Sequence, residues 1–217
     1  MTISASGPSD ATSDRLALIR QAFQLEYITL AWMTIEATVA IGSGIAADSL
    51  ILTAFGIDSL IELASAVALL WRLTVELRHE QTFAESAEQS AARIGGTLLF
   101  ALALYVVVSA GWKLWTEQGA EFSLPGLTVS IVAMPIMYFL SRRKLRLAHI
   151  LGSRALRADA VESITCGWLS LVVIAALLVQ LIIDAWWVDP IASLGIVWFL
   201  VREGREAWRE EGCCDHH

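Results

Sequence analysis

The stretch Ala54-Phe-Gly-Ile-Asp58-Ser-Leu-Ile-Glu62-Leu-Ala-Ser65 sets two carboxylates four residues apart in an otherwise apolar segment. On a helix that spacing puts both side chains on one face. Ionisable groups inside a membrane span are costly and face a cavity or a partner. A second apolar stretch, Ala158-Asp159-Ala-Val-Glu162-Ser-Ile-Thr-Cys166, repeats the interval with Glu162 and Cys166. Together the two pairs offer four oxygen or sulfur ligands, a set suited to a divalent cation, and the expected function is metal transport. The competing reading is polar glue between helices, but three carboxylates at depth are more than glue requires.

Composition supports a membrane setting. Hydrophobic residues make up 56% of the 217-residue chain and charged residues 17%, with a mean hydropathy of +0.61. A soluble domain lies nearer half apolar and a quarter charged, so a sizeable soluble domain is not expected. The net charge of −7 says little about partners, because charges in a membrane protein matter by where they sit; no nucleic-acid partner is expected. Three cysteines, Cys166, Cys213 and Cys214, do not make a disulfide framework. The first 20 residues are polar and lack the short apolar run of a removable signal peptide.

A helix of about 20 apolar residues crosses the hydrocarbon core. Six segments approach that length, at 24–45, 49–71, 94–115, 124–141, 160–183 and 187–201. With six spans, Arg15, Arg20, Arg72, Arg78, Arg93, Arg142, Arg143, Lys144, Arg146, Arg154, Arg157, Arg202, Arg205 and Arg209 fall on one side, and Lys113 alone on the other. By the positive-inside rule both termini are cytoplasmic. The expectation is an all-α membrane protein: a six-transmembrane-helix bundle at 23–203, a polar cytoplasmic segment at 1–22 and a short cytoplasmic tail at 204–217. Its expected address is a bacterial inner (plasma) membrane, as an integral multi-pass protein. Segment 79–93 reads as a polar, helical connector, and the arginine-rich 141–157 connector as a surface loop held by anionic headgroups.

The residues also resemble a family. Gly44–Leu70, with Ala46-Ala-Asp48-Ser-Leu followed by Asp58-Ser-Leu-Ile-Glu62, resembles the second span of the cation diffusion facilitators. Ser153-Arg-Ala-Leu-Arg-Ala-Asp159-Ala-Val-Glu162-Ser163 resembles their fifth, and Trp187-Val-Asp-Pro-Ile-Ala-Ser193 the start of their sixth. The resemblance implies a divalent-ion site at Asp58, Glu62, Glu162 and Cys166, exchange of the metal for protons, and a homodimer that alternates its access. No histidine stands at those four positions, and Cys166 replaces an expected Asp. Zinc is the first expectation, with cadmium, manganese, iron and cobalt open. Only 16 residues follow the last expected span, so the chain is expected to be a short form without the family's C-terminal cytoplasmic domain, similar to the transmembrane-protein-163 type. Homodimer contacts would then come from the transmembrane helices.

Other residues receive weaker readings. Glu36, midway along the first span, is an accessory ligand, a proton carrier, or a protonated side chain bonded to Ser or Thr on a neighbour. Asp159 is a candidate accessory or proton-coupling group, expected to pair with Arg157, Arg154 or the inner cavity mouth rather than bind the transported ion. Asp48 is expected to cap the second span. The terminal Cys213-Cys214-Asp215-His216-His217 gathers zinc- and copper-binding groups and is read as a metal-capture tail. His79 and His149 read as solvated surface residues. No nucleophile–base arrangement lies in the spans, so an enzyme is not expected. The alternative to a proton-coupled exporter is a membrane metal sensor or regulatory subunit that binds the ion without moving it.

Overall fold

A computed structural model of the chain describes residues 8–79, 85–151 and 154–209. Their regular structure is entirely helical: α1 (Pro8–Ala46), α2 (Leu50–His79), α3 (Glu85–Thr116), α4 (Leu124–Leu151), α5 (Arg154–Ile183) and α6 (Val188–Arg209). Stretches long and apolar enough to cross a membrane occur in five of them, at Leu18–Ala46, Leu50–Val67, Gly96–Thr116, Leu124–Leu151 and Asp159–Ile183. The sixth helix falls short because its apolar run ends at Val201, where Arg202, Glu203, Arg205 and Glu206 follow within the same helix.

Successive helices run in alternating directions. The ends of α1, α3 and α5 meet the starts of α2, α4 and α6 at one end of the bundle. There Lys113 at the end of α3 forms an ion pair with Asp48 at 3.0 Å, and Gln180 of α5 donates to the Ala120 carbonyl at 2.9 Å. Along the bundle α4 packs on α5, α1 on α2, and α3 on α6, while α2 also touches α3, α5 and α6. The shared core holds Phe55, Val106, Met137, Leu169, Val173, Ile196 and Leu200. Large apolar residues such as Trp115, Ile182 and Trp198 point outward, as a lipid-facing surface requires.

The α1–α2 turn departs from expectation. Asp48 has φ 50°, and the Ser49 amide donates to the Gly44 carbonyl at 2.8 Å, the six-to-one closure of a Schellman motif that ends α1. Asp48 therefore does not cap α2. The cap is Ser49, whose Oγ accepts from the Leu52 amide at 3.3 Å, reinforced by Asp189 of α6. The Asp189 carboxylate accepts from the Ser49 hydroxyl at 2.6 Å and from the Leu50 amide at 2.8 Å. A carboxylate at a helix start satisfies unpaired amides and complements the helix dipole. Here it comes from another helix and joins α2 and α6 end to end.

The arginine-rich connector is also different. Instead of a surface loop after residue 141, α4 continues to Leu151 and α5 begins at Arg154. Lys144 is fully buried inside this extension, at 0% exposure. It reaches Glu26 of α1 at 3.1 Å and Asp159 of α5 at 2.5 Å. A lysine enclosed this way needs compensating charge, and two carboxylates supply it. In the 79–93 connector, residues from Glu85 onward belong to α3, as a helical reading expects.

Candidate metal centre

On α2 the buried face runs through Ile51, Phe55, Asp58, Glu62 and Ala66, the three- and four-residue steps of one helical stripe. Packing α1 against α2 fixes this stripe closely. A side chain at Gly56 would meet the backbone nitrogen of Ile41 at 2.8 Å, so the two helices touch backbone to backbone just before Asp58.

Asp58 is fully buried and Glu62 nearly so. Both oxygens of Asp58 and Oε1 of Glu62 have no hydrogen-bond partner among the described residues. Each unpaired buried acceptor carries a desolvation cost that a proton or cation would relieve. Facing them from α6 is Glu203. One carboxylate oxygen from each of Asp58, Glu62 and Glu203 lies within 4.8 Å of the others.

The α5 residues are arranged differently. Cys166 is fully buried, and its Sγ lies 3.5 Å from Oε1 of Glu36. It also stands against Glu62. Glu162, one turn nearer the start of α5, is half-buried and lies within electrostatic reach of Glu203, Asp159 and Lys144. Asp58, Glu62 and Glu203 thus form the tight group, with Cys166 and Glu162 at its α5 side. Asp159 pairs with buried Lys144; the side chain of Arg154 lies outside the described residues.

Glu36 is enclosed by donors from three helices. Trp32 Nε1 donates to Oε2 at 2.6 Å, one turn earlier on α1, and the Ser59 hydroxyl of α2 donates to Oε1 at 2.9 Å. The Cys166 contact completes the set. Glu36 is thus held by its donors beside the carboxylate group. The residues Cys213, Cys214, Asp215, His216 and His217 lie outside the described residues.

Glu203 escapes a sequence reading that ends the last span at residue 201. Its signal is periodic: Asp189, Ser193, Ile196, Leu200 and Glu203 follow steps of four, three, four and three, and the first four are buried. That stripe extends the inward face of α6 past the end of its apolar run.

Residues 27–212 match the model of the cation efflux transmembrane domain. The chain belongs to the cation efflux family. It is accordingly a multi-pass membrane protein, and its six-helix bundle is that family's transmembrane part. This cation efflux protein is also similar to an uncharacterized transporter of Synechocystis sp., with 27% identity over 189 residues. The match covers 80% of this chain and 61% of the relative, so the chain spans about three-fifths of the length of the curated relative it matches.

Proposed function

We propose that this cation efflux protein is a divalent metal transporter that moves its ion out of the cytoplasm in exchange for protons. The observation that carries this reading is the buried face of α2, where Asp58 and Glu62 present oxygens that no donor among the described residues reaches. A carboxylate left ionised and alone at such depth costs several kcal/mol, so a proton or a cation neutralises it. Carboxylate and thiol groups bind metal only after losing their protons. An entering ion therefore releases protons, and protons arriving from the far side release the ion.

In this reading Asp58 and Glu62 hold the ion, Glu162 and Cys166 supply ligands from α5 as the site closes, and Glu36 and Asp159 pass protons. Zinc accepts both carboxylate and thiolate and is the first ion to test, followed by cadmium, manganese, iron and cobalt. The reading places both termini in the cytoplasm, includes a homodimer formed through the spans, and expects a bacterial inner membrane. It keeps 1–22 and 204–217 as cytoplasmic segments flanking the transmembrane domain, with the terminal Cys and His residues capturing metal near the entrance.

The test is metal flux into proteoliposomes carrying an internal pH dye. Metal uptake with opposing proton movement, abolished by Asp58→Ala while the protein still inserts, is expected. Binding without flux for every ion tried would move the protein to the sensor class.

A further inference from the structure

Two groups of carboxylates lie inside this bundle, all buried except the half-buried Glu203, and the protein treats them differently. Glu26 and Asp159 receive Lys144, whose Nζ reaches both. Among the described residues, no ion pair joins a cationic side chain to Asp58, Glu62 or Glu203. The nearest basic residue in sequence, Arg202, is bonded elsewhere: its Nε meets exposed Glu206 at 2.9 Å, its guanidinium lies over the Trp198 ring, and it acts on Glu203 only through space. A proton, or a cation from outside, relieves the second group.

The geometry suits one ion. Two oxygens on opposite sides of a divalent ion with bonds of about 2.1–2.4 Å are about 4.2–4.8 Å apart, and the three carboxylate oxygens fall within 4.8 Å. Capacity remains beside the Thr165 bond to Glu203 and the Cys166 contact with Glu62, since both Asp58 oxygens, Glu62 Oε1 and Glu203 Oε1 lack partners among the described residues. Register supports the grouping. Counting from the Ser49–Asp189 contact, Glu62 lies about 18 Å along α2 from Leu50 and Glu203 about 21 Å along α6 from Asp189, at 1.5 Å per residue. The two helices start together, so these carboxylates arrive at nearly the same depth.

We infer that Glu203 is the third carboxylate ligand of the transported ion, holding it between α2 and α6 in an all-oxygen group that takes manganese as well as zinc. The inference rests on the transport reading above and extends it to an α6 ligand and a cation class. Carboxylate oxygens suit harder ions such as manganese, whereas thiolates select softer ones. The thiol of Cys166 lies against Glu36 and Glu62 at the edge of the group, while the atoms that converge within 4.8 Å are three carboxylate oxygens.

The experiment measures Mn²⁺ and Zn²⁺ binding to the purified full chain in detergent, by calorimetry and, for manganese, by its electron paramagnetic resonance signal. Variants are Glu203→Gln, Glu203→Asp, Asp58→Ala and Glu206→Gln. Expected are Mn²⁺ binding by the parent, weakening by about tenfold or more in Glu203→Gln, partial recovery in Glu203→Asp and no change in Glu206→Gln. Unfolding temperatures without metal verify that each variant is folded. If Asp58→Ala loses binding while folded Glu203→Gln keeps it, Glu203 is not a ligand and the α2 site stands. If neither variant loses binding, the α2 site fails as well. Zinc binding without any manganese binding also overturns the inference.

Discussion

Lys144 of α4 lies 2.5 Å from Asp159 of α5 and is fully buried, so this ion pair is an interior joint between the two helices. With Glu26 of α1 at 3.1 Å, it binds three helices at the end of the bundle opposite the Asp189 cap. Removing the lysine leaves two buried carboxylates without their cation, a loss of about 3–5 kcal/mol. Lys144→Met should therefore lower the unfolding temperature sharply in detergent. Replacing all three residues together (Lys144→Met, Glu26→Gln, Asp159→Asn) should recover most of the loss. Equal melting of Lys144→Met and parent would show that the joint does not contribute.

Asp58 should show the opposite pattern. Asp58→Asn keeps the shape of the side chain but removes the acid, so the variant should fold at least as stably as the parent. Metal should no longer raise its unfolding temperature, whereas a ligand that binds only the folded parent must raise it. A preserved metal-induced shift in Asp58→Asn would remove Asp58 from the site.

Binding should strengthen with pH. The carboxylates and the thiol must lose protons before they can hold the ion, so protons compete with metal and the apparent Kd rises as pH falls. Zinc titrations of the parent at about pH 6 and about pH 8 check the sign, and the released protons can be counted in weak buffer. An affinity independent of pH would argue against proton exchange at these ligands.

Gly56 sets the spacing of the α1–α2 pair. A methyl group there meets the Ile41 backbone nitrogen at 2.8 Å, and backbone cannot yield as a flexible side chain does. Gly56→Ala should cost about 1–3 kcal/mol through overpacking. It should also loosen the Ser59–Glu36 hydrogen bond one turn further on. Thermal unfolding measures the first effect, and the indole N–H resonance of Trp32, bonded to the same Glu36, reports the second.

Much of this was legible in the residues. The helical bundle followed from apolar runs of spanning length, and Asp58 and Glu62 announced themselves as acids at helical spacing inside one of those runs. Three features stayed hidden because their partners are remote in sequence. The Ser49 cap on α2 is reinforced by Asp189, 139 residues beyond the Leu50 amide it bonds, whereas local sequence pointed to neighbouring Asp48 instead. Lys144 stands among Arg142, Arg143 and Arg146 and reads as one more surface charge. Only its place on the stripe of Ala133, Met137, Leu140 and Leu147 distinguishes it. Glu203 lies past the apolar run that defines the last span, where composition reads as tail although the inward-facing stripe continues.

The contact between Asp189 and Ser49 has a mechanical consequence. It sits at one extremity of α2 and α6, while Glu62 and Glu203 lie about 20 Å further along the two rods. A joint so far from its load works as a pivot on a long lever arm. A tilt of about 10° about it displaces the far carboxylate by about 3.5 Å at that distance. That travel is comparable with the whole 4.8 Å span of the three oxygens, so a small angular change at the pivot is enough to pull the group apart.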